Sequence, residues 1–227
     1  TINGNVAFVP GKVGQAFSFN GGNDHVFIGS PSNLNSFSDG ITLGAWVNPG
    51  NLALGNNSIV TKWNQTTNGD AYGIYLSAQP DGTINVLGTI SGPGIVDNGL
   101  GGGVVPRGQW TYVAATYDKA TSDHKIYVNG QLVTQRVWPG GISQSNVDVL
   151  IGREDNNRAN KRPFTGLINE IEIYDRALSA SEIAAVFNAD DAGKCKGNNS
   201  PPAAGPGGPY TGPEGAPIPL SSASASD

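Results

Sequence analysis

Apolar and polar side chains alternate over most of this chain with a period of two, the pattern of β-strands that have one buried face. The alternation is clearest at residues 166–174, where one predicted face carries Leu167, Asn169, Ile171 and Ile173 and the other carries Ile168, Glu170, Glu172 and Tyr174. The pattern then changes, because Ser179 and Glu182 are spaced as a capping box at the start of a helix. We therefore expect a closing strand followed by a short helix that docks on it through Ile183, Val186 and Phe187.

Further short strands, separated by turn residues, are predicted before this segment. They fall at residues 6–9, 15–20, 25–28, 41–48, 58–63, 71–77, 83–90, 110–117, 125–128, 131–137 and 147–152. Asn129 and Gly130 are the residues that a two-residue type I′ hairpin turn requires. The glycine-rich stretch 91–108 is expected to be a long loop. This pattern predicts an all-β fold, a two-sheet antiparallel jelly-roll sandwich with one short C-terminal helix.

Four motifs, in order along the chain, resemble those of a known family. They are GKVGQAFSFNG at 11–21 followed by Asp24-His25-Val26, ITLGAWV at 41–47, Gly108-Gln109-Trp110 with Tyr117-Asp118, and the closing segment that ends in Tyr174-Asp175-Arg176-Ala177-Leu178-Ser179. Together they are similar to the signatures of the laminin G-like members of the concanavalin A-like lectin/glucanase superfamily. The resemblance implies a concanavalin A-like jelly roll over residues 1–192. Members usually have one more strand before Gly4, so we expect this sequence to begin inside a longer protein.

The composition changes after Asp190. Residues 193–209 are predicted to be a Gly/Pro-rich linker, and the single cysteine, Cys195, lies in it. One thiol cannot form an internal disulfide, so the redox compartment does not follow from it. Residues 210–227 resemble the truncated start of a PKD-type immunoglobulin-like module. We therefore expect the protein to be multi-modular, with this domain tethered to further immunoglobulin-like modules.

Charge and composition narrow the range of partners. The 227 residues include 33 Gly and 15 Pro, only 14% are charged, and the net charge is -5. Nucleic acids and anionic membranes require clustered Lys and Arg, so neither is an expected partner. No apolar run approaches the length of a membrane span, so membrane insertion is not expected. The one basic cluster, Arg153, Arg158, Lys161 and Arg162, fits a solvated loop as well as a ligand site.

The polar corner at residues 20–24 is a candidate calcium site. Several oxygen-bearing side chains on a glycine-flexed backbone are what a hard cation needs, although Asn and Asp in such a turn also bond to their own backbone. The chemistry alone leaves both alternatives open, and the family resemblance implies a structural calcium. The ligands it implies are Asn20, Asn23, Asp24 and Asn169. Because Asn20 and Asn169 stand where the family usually has Asp, we expect weaker calcium binding than is usual in the family.

Catalysis is not expected. Glu170, Glu172 and Asp175 imitate the Glu-x-Asp-x-x-Glu strand of retaining glucanases, in which two carboxyl groups flank one glycosidic bond. The laminin G-like register already accounts for Glu170, however, and the strand lies near the end of the domain. We expect Glu170 to form an ion pair with Arg176. The two histidines, His25 and His124, have no partner motif for a catalytic triad or a zinc site.

A glycan site needs exposed aromatic faces beside planar polar groups. The aromatic candidates are Trp63, Tyr72 and Trp138, and the hydrogen-bonding candidates are Arg153, Asp155, Asn156 and Arg158. For each aromatic residue, packing in the core or against a turn is the competing interpretation.

The sequence thus predicts a secreted or cell-surface, non-catalytic module that binds carbohydrate, either a polysaccharide or the glycan of a glycoprotein, with a structural calcium. The alternative is an adhesive or structural spacer domain that acts by protein–protein contact, and a glycoside hydrolase or lyase is the least favoured possibility. An exposed row of aromatic side chains would favour the first of these, and a flat polar surface would favour the second.

Overall fold

The computed structural model describes residues 1–37, 39–64, 70–92, 99–154 and 161–190. Over these ranges the strands are β1 (Ile2–Asn3), β2 (Ala7–Pro10), β3 (Gln15–Asn20), β4 (His25–Gly29), β5 (Gly40–Pro49), β6 (Gly55–Lys62), β7 (Tyr72–Ala78), β8 (Ile84–Ile90), β9 (Leu100–Val104), β10 (Thr111–Asp118), β11 (Asp123–Val128), β12 (Gln131–Val137), β13 (Val149–Ile151) and β14 (Thr165–Tyr174). A 3-10 helix (Ser32–Leu34) and helix α1 (Ala180–Asn188) are also present. The predicted linker, the predicted module at 210–227 and Cys195 lie outside the described residues.

The strands form two antiparallel sheets of seven strands each. The first sheet has the order β1-β4-β13-β6-β7-β8-β9, and the second has the order β12-β11-β10-β5-β14-β3-β2. The predicted all-β, two-sheet sandwich with one short helix is therefore confirmed. None of the helices in the described ranges is long and apolar enough to cross a membrane.

A single apolar cluster fills the space between the sheets. On β5, Ile41, Leu43 and Val47 point into this cluster and are fully buried. Trp46, on the same strand, points to the opposite, outer face of the second sheet. The period-two pattern of β5 thus supplies side chains to two different cores, and burial of this apolar surface is the main stabilising contribution.

Helix α1 covers part of the outer face of the second sheet. Trp46 packs against Tyr112 of the neighbouring strand at 5.7 Å and against Phe187 of the helix at 5.6 Å between ring centroids. The predicted capping box is present, since Ser179 Oγ accepts a hydrogen bond from the Glu182 amide and Glu182 Oε2 accepts one from the Ser179 amide. The helix therefore begins where the sequence predicts. Its Phe187 packs on Trp46 of β5 in a cluster with Tyr112 of β10, so the prediction that the helix docks mainly on the preceding strand is wrong.

The predicted ion pair between Glu170 and Arg176 is wrong. Arg176 donates to both carboxylate oxygens of Glu182, at 2.7 and 3.0 Å. Glu170 instead lies in a β-bulge, where β14 has one residue more than β5 between Asn169 and Glu172. Its φ of 49° is in the left-handed region, as is common for the extra residue of a bulge.

The stretch 91–108, predicted as a loop, contains a strand. Leu100–Val104 forms β9, the edge strand of the first sheet beside β8. The glycines that suggested a loop have a packing reason, because a Cβ on Gly102 would come within 2.7 Å of the Thr134 side chain on β12. Glycine thus lets β9 approach β12 closely, so the two sheets come near each other at this edge of the sandwich.

Candidate functional site

The segment after β13 folds back over the outer face of the first sheet. The Ser58 amide donates to Arg162 O at 2.9 Å, and Thr61 Oγ1 donates to Arg153 O at 3.0 Å. A further backbone hydrogen bond, from Glu154 N to Lys161 O at 3.0 Å, closes the neck of this loop. The loop is therefore fixed to the sheet at its base.

A buried ionic network holds the base of the loop. The Glu154 carboxylate, which is 0% exposed, accepts hydrogen bonds from Arg162 Nη1 at 2.7 Å and from Tyr75 Oη at 2.9 Å. The Arg162 guanidinium also lies 5.7 Å from the centre of the Tyr75 ring. Burial raises the pKa of Tyr75 well above its usual value, and the Glu154 charge raises it further. The network keeps Tyr75 protonated and fixes the strand positions from which residues 155–160 extend.

Two of the predicted ligand residues lie beside this loop base. Arg153 is part of it, and Trp63 follows Thr61 on the same side of β6. Both are largely buried, with exposed fractions of 8% for Arg153 and 5% for Trp63. The three predicted hydrogen-bonding residues Asp155, Asn156 and Arg158 lie outside the described residues. Arg153 and Trp63 are therefore the predicted ligands that the described structure places next to the loop base, Trp63 by its position two residues after Thr61.

Tyr72 and Trp138 lie elsewhere. The Tyr72 ring points into the cluster between the sheets, 5.5 Å from Phe37, and its hydroxyl donates to Leu34 O. A role as a sugar platform does not fit this buried position. Trp138 is half-buried at the end of β12, with the Arg136 guanidinium 5.1 Å from its ring. One face of its indole is thus occupied by a neighbouring side chain, and it lies on the second sheet, away from the loop.

The corner predicted to bind calcium is satisfied by amide groups. The Asp24 side chain is buried, and its two oxygens accept hydrogen bonds from the backbone amides of Asn5, at 2.7 Å, and Asn20, at 2.9 Å. With its amide nitrogen facing the turn, the Asn20 side chain donates to Asp24 Oδ2 at 2.8 Å and to Gly21 O at 3.1 Å. Asn20 therefore presents a donor where a metal ligand would present an oxygen.

The fourth predicted ligand, Asn169, lies away from this corner. Thr165 on β14 pairs with Asn20, and Asn169 is four residues further along the strand, about 13 Å away at the usual rise per residue. Its Oδ1 accepts from Val13 N at 2.7 Å, and its Nδ2 donates to Gln15 O at 2.9 Å. Within the described ranges, no group of three or more His, Cys, Asp or Glu side chains could hold a metal ion. These residues do not fit a calcium site of the predicted composition.

The carboxylates of β14 do not converge on one site. The bulge leaves Glu170 lining a cavity of about 360 Å³ with Phe17 and Val26, at the edge between the sheets. Glu172 pairs with Gly44 on the outer face of the second sheet, where burial and then the Glu172 charge raise the pKa of Tyr112. The two carboxyl groups therefore face different parts of the molecule, and the arrangement that retaining glucanases require is not formed by them.

Two cavities lie along the connector between β14 and α1. The lining of the first, of about 420 Å³, includes Thr116, Asp123, Lys125, Leu132, Gln135 and Ala180. The second, of about 560 Å³, is lined by Asp39, Asp118, Lys119, Ala120, Arg176 and Ala177. Asp118 and Ala177 line both cavities, so the two are adjacent, and we call them together the connector groove. Each volume is within the range of small-molecule sites.

Four charged groups of the connector groove form two ion pairs. Lys125 Nζ donates to Asp123 Oδ2 at 2.8 Å, which lowers the pKa of Asp123 and raises that of Lys125. Hydrogen bonds from Arg176 and then from the Ser179 amide lower the pKa of Glu182 to about 2. These groups were not predicted from the sequence as one site, because each pair is local to its own segment, Asp123 and Lys125 on β11 and Arg176 and Glu182 at the connector and helix. Only the folding of the chain brings the two pairs to one groove. The signal that could have located them is the Asn129-Gly130 turn, which fixes how β11 pairs with β12.

The comparison with known families agrees with this geometry. Residues 20–184 match the Laminin_G_3 family, described as the concanavalin A-like lectin/glucanases superfamily. The chain belongs to this family. The resemblance seen in the four sequence motifs is therefore confirmed for the jelly roll. Among curated protein sequences, none matches the chain at a significant level.

Solved structures similar to this laminin G-like domain are mostly binding modules. Domain 4 of AbnA, a GH43 extracellular arabinanase from Geobacillus stearothermophilus, in complex with arabinotriose, is 25% identical with a TM-score of 0.60, and the match covers 81% of each chain. The CBM40 of the Ruminococcus gnavus IT-sialidase, bound to α2,3 sialyllactose, is 17% identical with a TM-score of 0.58 over 76% of this chain and 96% of that one. A SAP-like pentraxin from Limulus polyphemus is 16% identical with a TM-score of 0.54 over 72% and 80%. The last two show the fold alone.

Proposed function

We propose that this laminin G-like domain is a non-catalytic carbohydrate-binding module of a larger extracellular protein. The observation that carries the proposal is the likeness to domain 4 of the arabinanase, which extends over 81% of both chains. The solved structure of that domain is a complex with arabinotriose. The ligand would be a polysaccharide or a glycoprotein glycan. The extracellular setting and the tethering to immunoglobulin-like modules are parts of this proposal.

A binding role is favoured over catalysis by the placement of the acidic residues. Glu170 and Glu172 face different parts of the molecule because of the bulge between them. Retaining glycosidases need two carboxyl groups about 5 Å apart across one bond, and inverting enzymes need them about 6.5–9.5 Å apart. Calcium is not part of the proposal, because the Asp24 oxygens already accept amide hydrogen bonds.

Two surfaces are available for a saccharide. The first is the loop base formed by Arg153, Glu154 and Arg162, to which the predicted ligands Asp155, Asn156 and Arg158 are adjacent in sequence. The second is the connector groove. In both, polar groups are held in place by a rigid sheet. Sugar hydroxyls can then form hydrogen bonds without a large loss of side-chain conformational entropy.

The competing proposal is an adhesive or spacer domain that acts by protein contact. It is favoured by the burial of Trp46 and Trp63, each 5% exposed, since neither indole offers an open face to a sugar. It is also favoured by the exposed Phe8 and Ile28, near the edge between the two sheets. Such apolar edges are typical of surfaces that contact other proteins.

A glycan microarray tests the proposed function. The folded domain, labelled and shown by near-ultraviolet circular dichroism to have ordered tertiary structure, should bind a defined group of related glycans. Arabinan oligosaccharides are the first class to examine. An array on which the folded domain binds no glycan would contradict the proposal and favour the adhesive alternative.

A further inference from the structure

We propose that the connector groove is a saccharide-binding site, and that it takes an extended, uncharged chain. This inference rests on the proposed function and goes further by naming the surface and the class of sugar. The groove lies on the second sheet, and none of the ligand residues predicted from the sequence that the structure describes lines it.

The floor of the groove is built by three neighbouring strands. Thr116 of β10 pairs with Lys125 of β11, and Lys125 pairs with Gln135 of β12. Paired residues point to the same face of a sheet, so these three side chains form a row across the strands. Ala180 and the connector before it form the wall on the helix side. The result is a groove with a rigid polar floor and an alanine wall.

The floor offers the groups that sugar hydroxyls need. Gln135 is exposed, and its amide makes no hydrogen bond with the side chains of the described ranges. An amide supplies both donors and acceptors, as a hydroxyl does. Leu132, which is 46% exposed, lies beside it and gives an apolar surface for the C–H groups of a sugar ring. Polar and apolar groups are therefore presented side by side.

The charge of the groove excludes strongly charged ligands. Four carboxylates, from Asp39, Asp118, Asp123 and Glu182, face three cations, from Lys119, Lys125 and Arg176. The near balance gives little attraction for a polyanion or a cationic peptide. The helix terminus attracts anions only weakly, because the capping box satisfies two of its free amides and the Glu182 carboxylate adds negative charge there. An uncharged saccharide does not depend on electrostatic attraction, so it is the ligand class that this charge distribution favours.

The length of the groove suits a chain rather than a single sugar. The cavities of about 420 and 560 Å³ share Asp118 and Ala177 in their linings and therefore lie next to each other. A linear oligosaccharide could contact Gln135 at one end and the Lys119 region at the other. Binding should therefore strengthen with the number of sugar units until both cavities are filled.

The test compares variants that alter the groove with matched variants that do not. Gln135→Ala removes the exposed amide, and Ala180→Gln places a longer side chain into the groove while keeping a good helix former. Their controls are Gln131→Ala, on the same strand outside the groove, and Ala185→Gln, on the exposed side of the same helix. Arg158→Ala tests the loop over the first sheet. Affinity is measured by calorimetry with the neutral polysaccharide that the wild-type domain binds most tightly among arabinan, xylan, mannan and mixed-linkage β-glucan.

Gln135→Ala should weaken binding about fivefold, the usual effect of losing one hydrogen bond, and Ala180→Gln should weaken it about tenfold or more by obstruction. Both controls should bind like the wild type. Equal affinity of Gln135→Ala and Ala180→Gln with the wild type, together with a loss in Arg158→Ala, would overturn the groove proposal but leave the proposed function intact. A wild-type domain that binds none of the four neutral polysaccharides would overturn the groove proposal, and glycan binding on the microarray would then decide the proposed function separately.

Discussion

Lys62 is the clearest case in which one side chain joins distant parts of the fold. Its ammonium group is buried and donates to Ser30 Oγ, Asn35 Oδ1 and Val147 O. It therefore ties the segment before β5 to the segment before β13. Burial lowers the pKa of Lys62 from 10.5 to about 8, although the nearby Asp148 charge opposes this shift.

The lowered pKa of Lys62 predicts a rise in stability with pH. Between about pH 8 and 10.5 the unfolded chain holds a proton on Lys62 that the folded protein has lost, so unfolding takes up a proton. The free energy of unfolding of the wild type relative to Lys62→Met should therefore increase over this window, as measured by urea denaturation. In the wild type Asp123 raises the pKa of Lys125. The free energy of unfolding of the wild type relative to Lys125→Met should therefore be constant below about pH 10 and decrease above it. A wild-type advantage over Lys62→Met that shrinks with pH would contradict the assignment.

Asn20 leads to a second prediction at this scale. The wild-type melting temperature should be the same in calcium and in chelator, because amides already satisfy Asp24. Asn20→Asp replaces the donor beside Asp24 Oδ2 with a second carboxylate, so it should melt at a lower temperature in chelator and recover part of the loss in calcium. Gln131→Glu, which adds a carboxylate at an exposed position on β12, is the control. A wild-type domain that calcium stabilises would show that the corner binds metal despite these contacts.

The sequence does not show which of its aromatic side chains face the core, and this limits the prediction of individual ligand residues. Trp63 and Tyr72 are both aromatic residues at strand ends, and the sequence gives them equal claims as sugar platforms. In the structure both are buried, but Tyr72 points into the interior against Phe37, whereas Trp63 is not part of that apolar cluster. Which side faces the core depends on the pairing of β6 with β7, and local composition does not contain that information.

At the scale of elements, the helix start is the feature whose sequence signal is most complete. Ser179 and Glu182 form the capping box, and Arg176 adds two charge-assisted hydrogen bonds to the same glutamate. Local hydrogen bonds alone specify this boundary, which is why it could be predicted to the residue. The bulge at Glu170 could not be predicted in this way, because it depends on the register between β14 and β5.

Loss of the cap should weaken the docking of the helix. Ser179→Ala should lower the free energy of unfolding by about 1 kcal/mol, the usual cost of removing a Ser cap. Ser181→Ala, at an exposed position two residues after Ser179, should lower the free energy of unfolding less. Because the folded pKa of Glu182 is lowered to about 2 from 4.5, its contribution is present above pH 4.5 and is lost as the pH falls through about 2. The stability difference between the wild type and Glu182→Gln, followed by thermal melts, should narrow over that range, and a difference independent of pH would contradict the pairing.

At the scale of the whole molecule, different segments of the chain pack on the two sheets. The buried Glu154–Arg162 pair packs on Tyr75 of the first sheet, and helix α1 packs on the second. Fold class and closing segment followed from alternation and capping, which are local. The connector groove did not, because it is formed where three strands and the β14–α1 connector meet.

The central claim is that this laminin G-like domain binds saccharide without acting on it. Affinity electrophoresis of the folded domain through native gels containing soluble polysaccharides, run with calcium and again with chelator, tests it most directly. We expect at least one neutral polysaccharide to retard the domain equally in both conditions, and to be recovered at its original length afterwards. Unchanged mobility in every gel, or a shortened polysaccharide, would contradict the account.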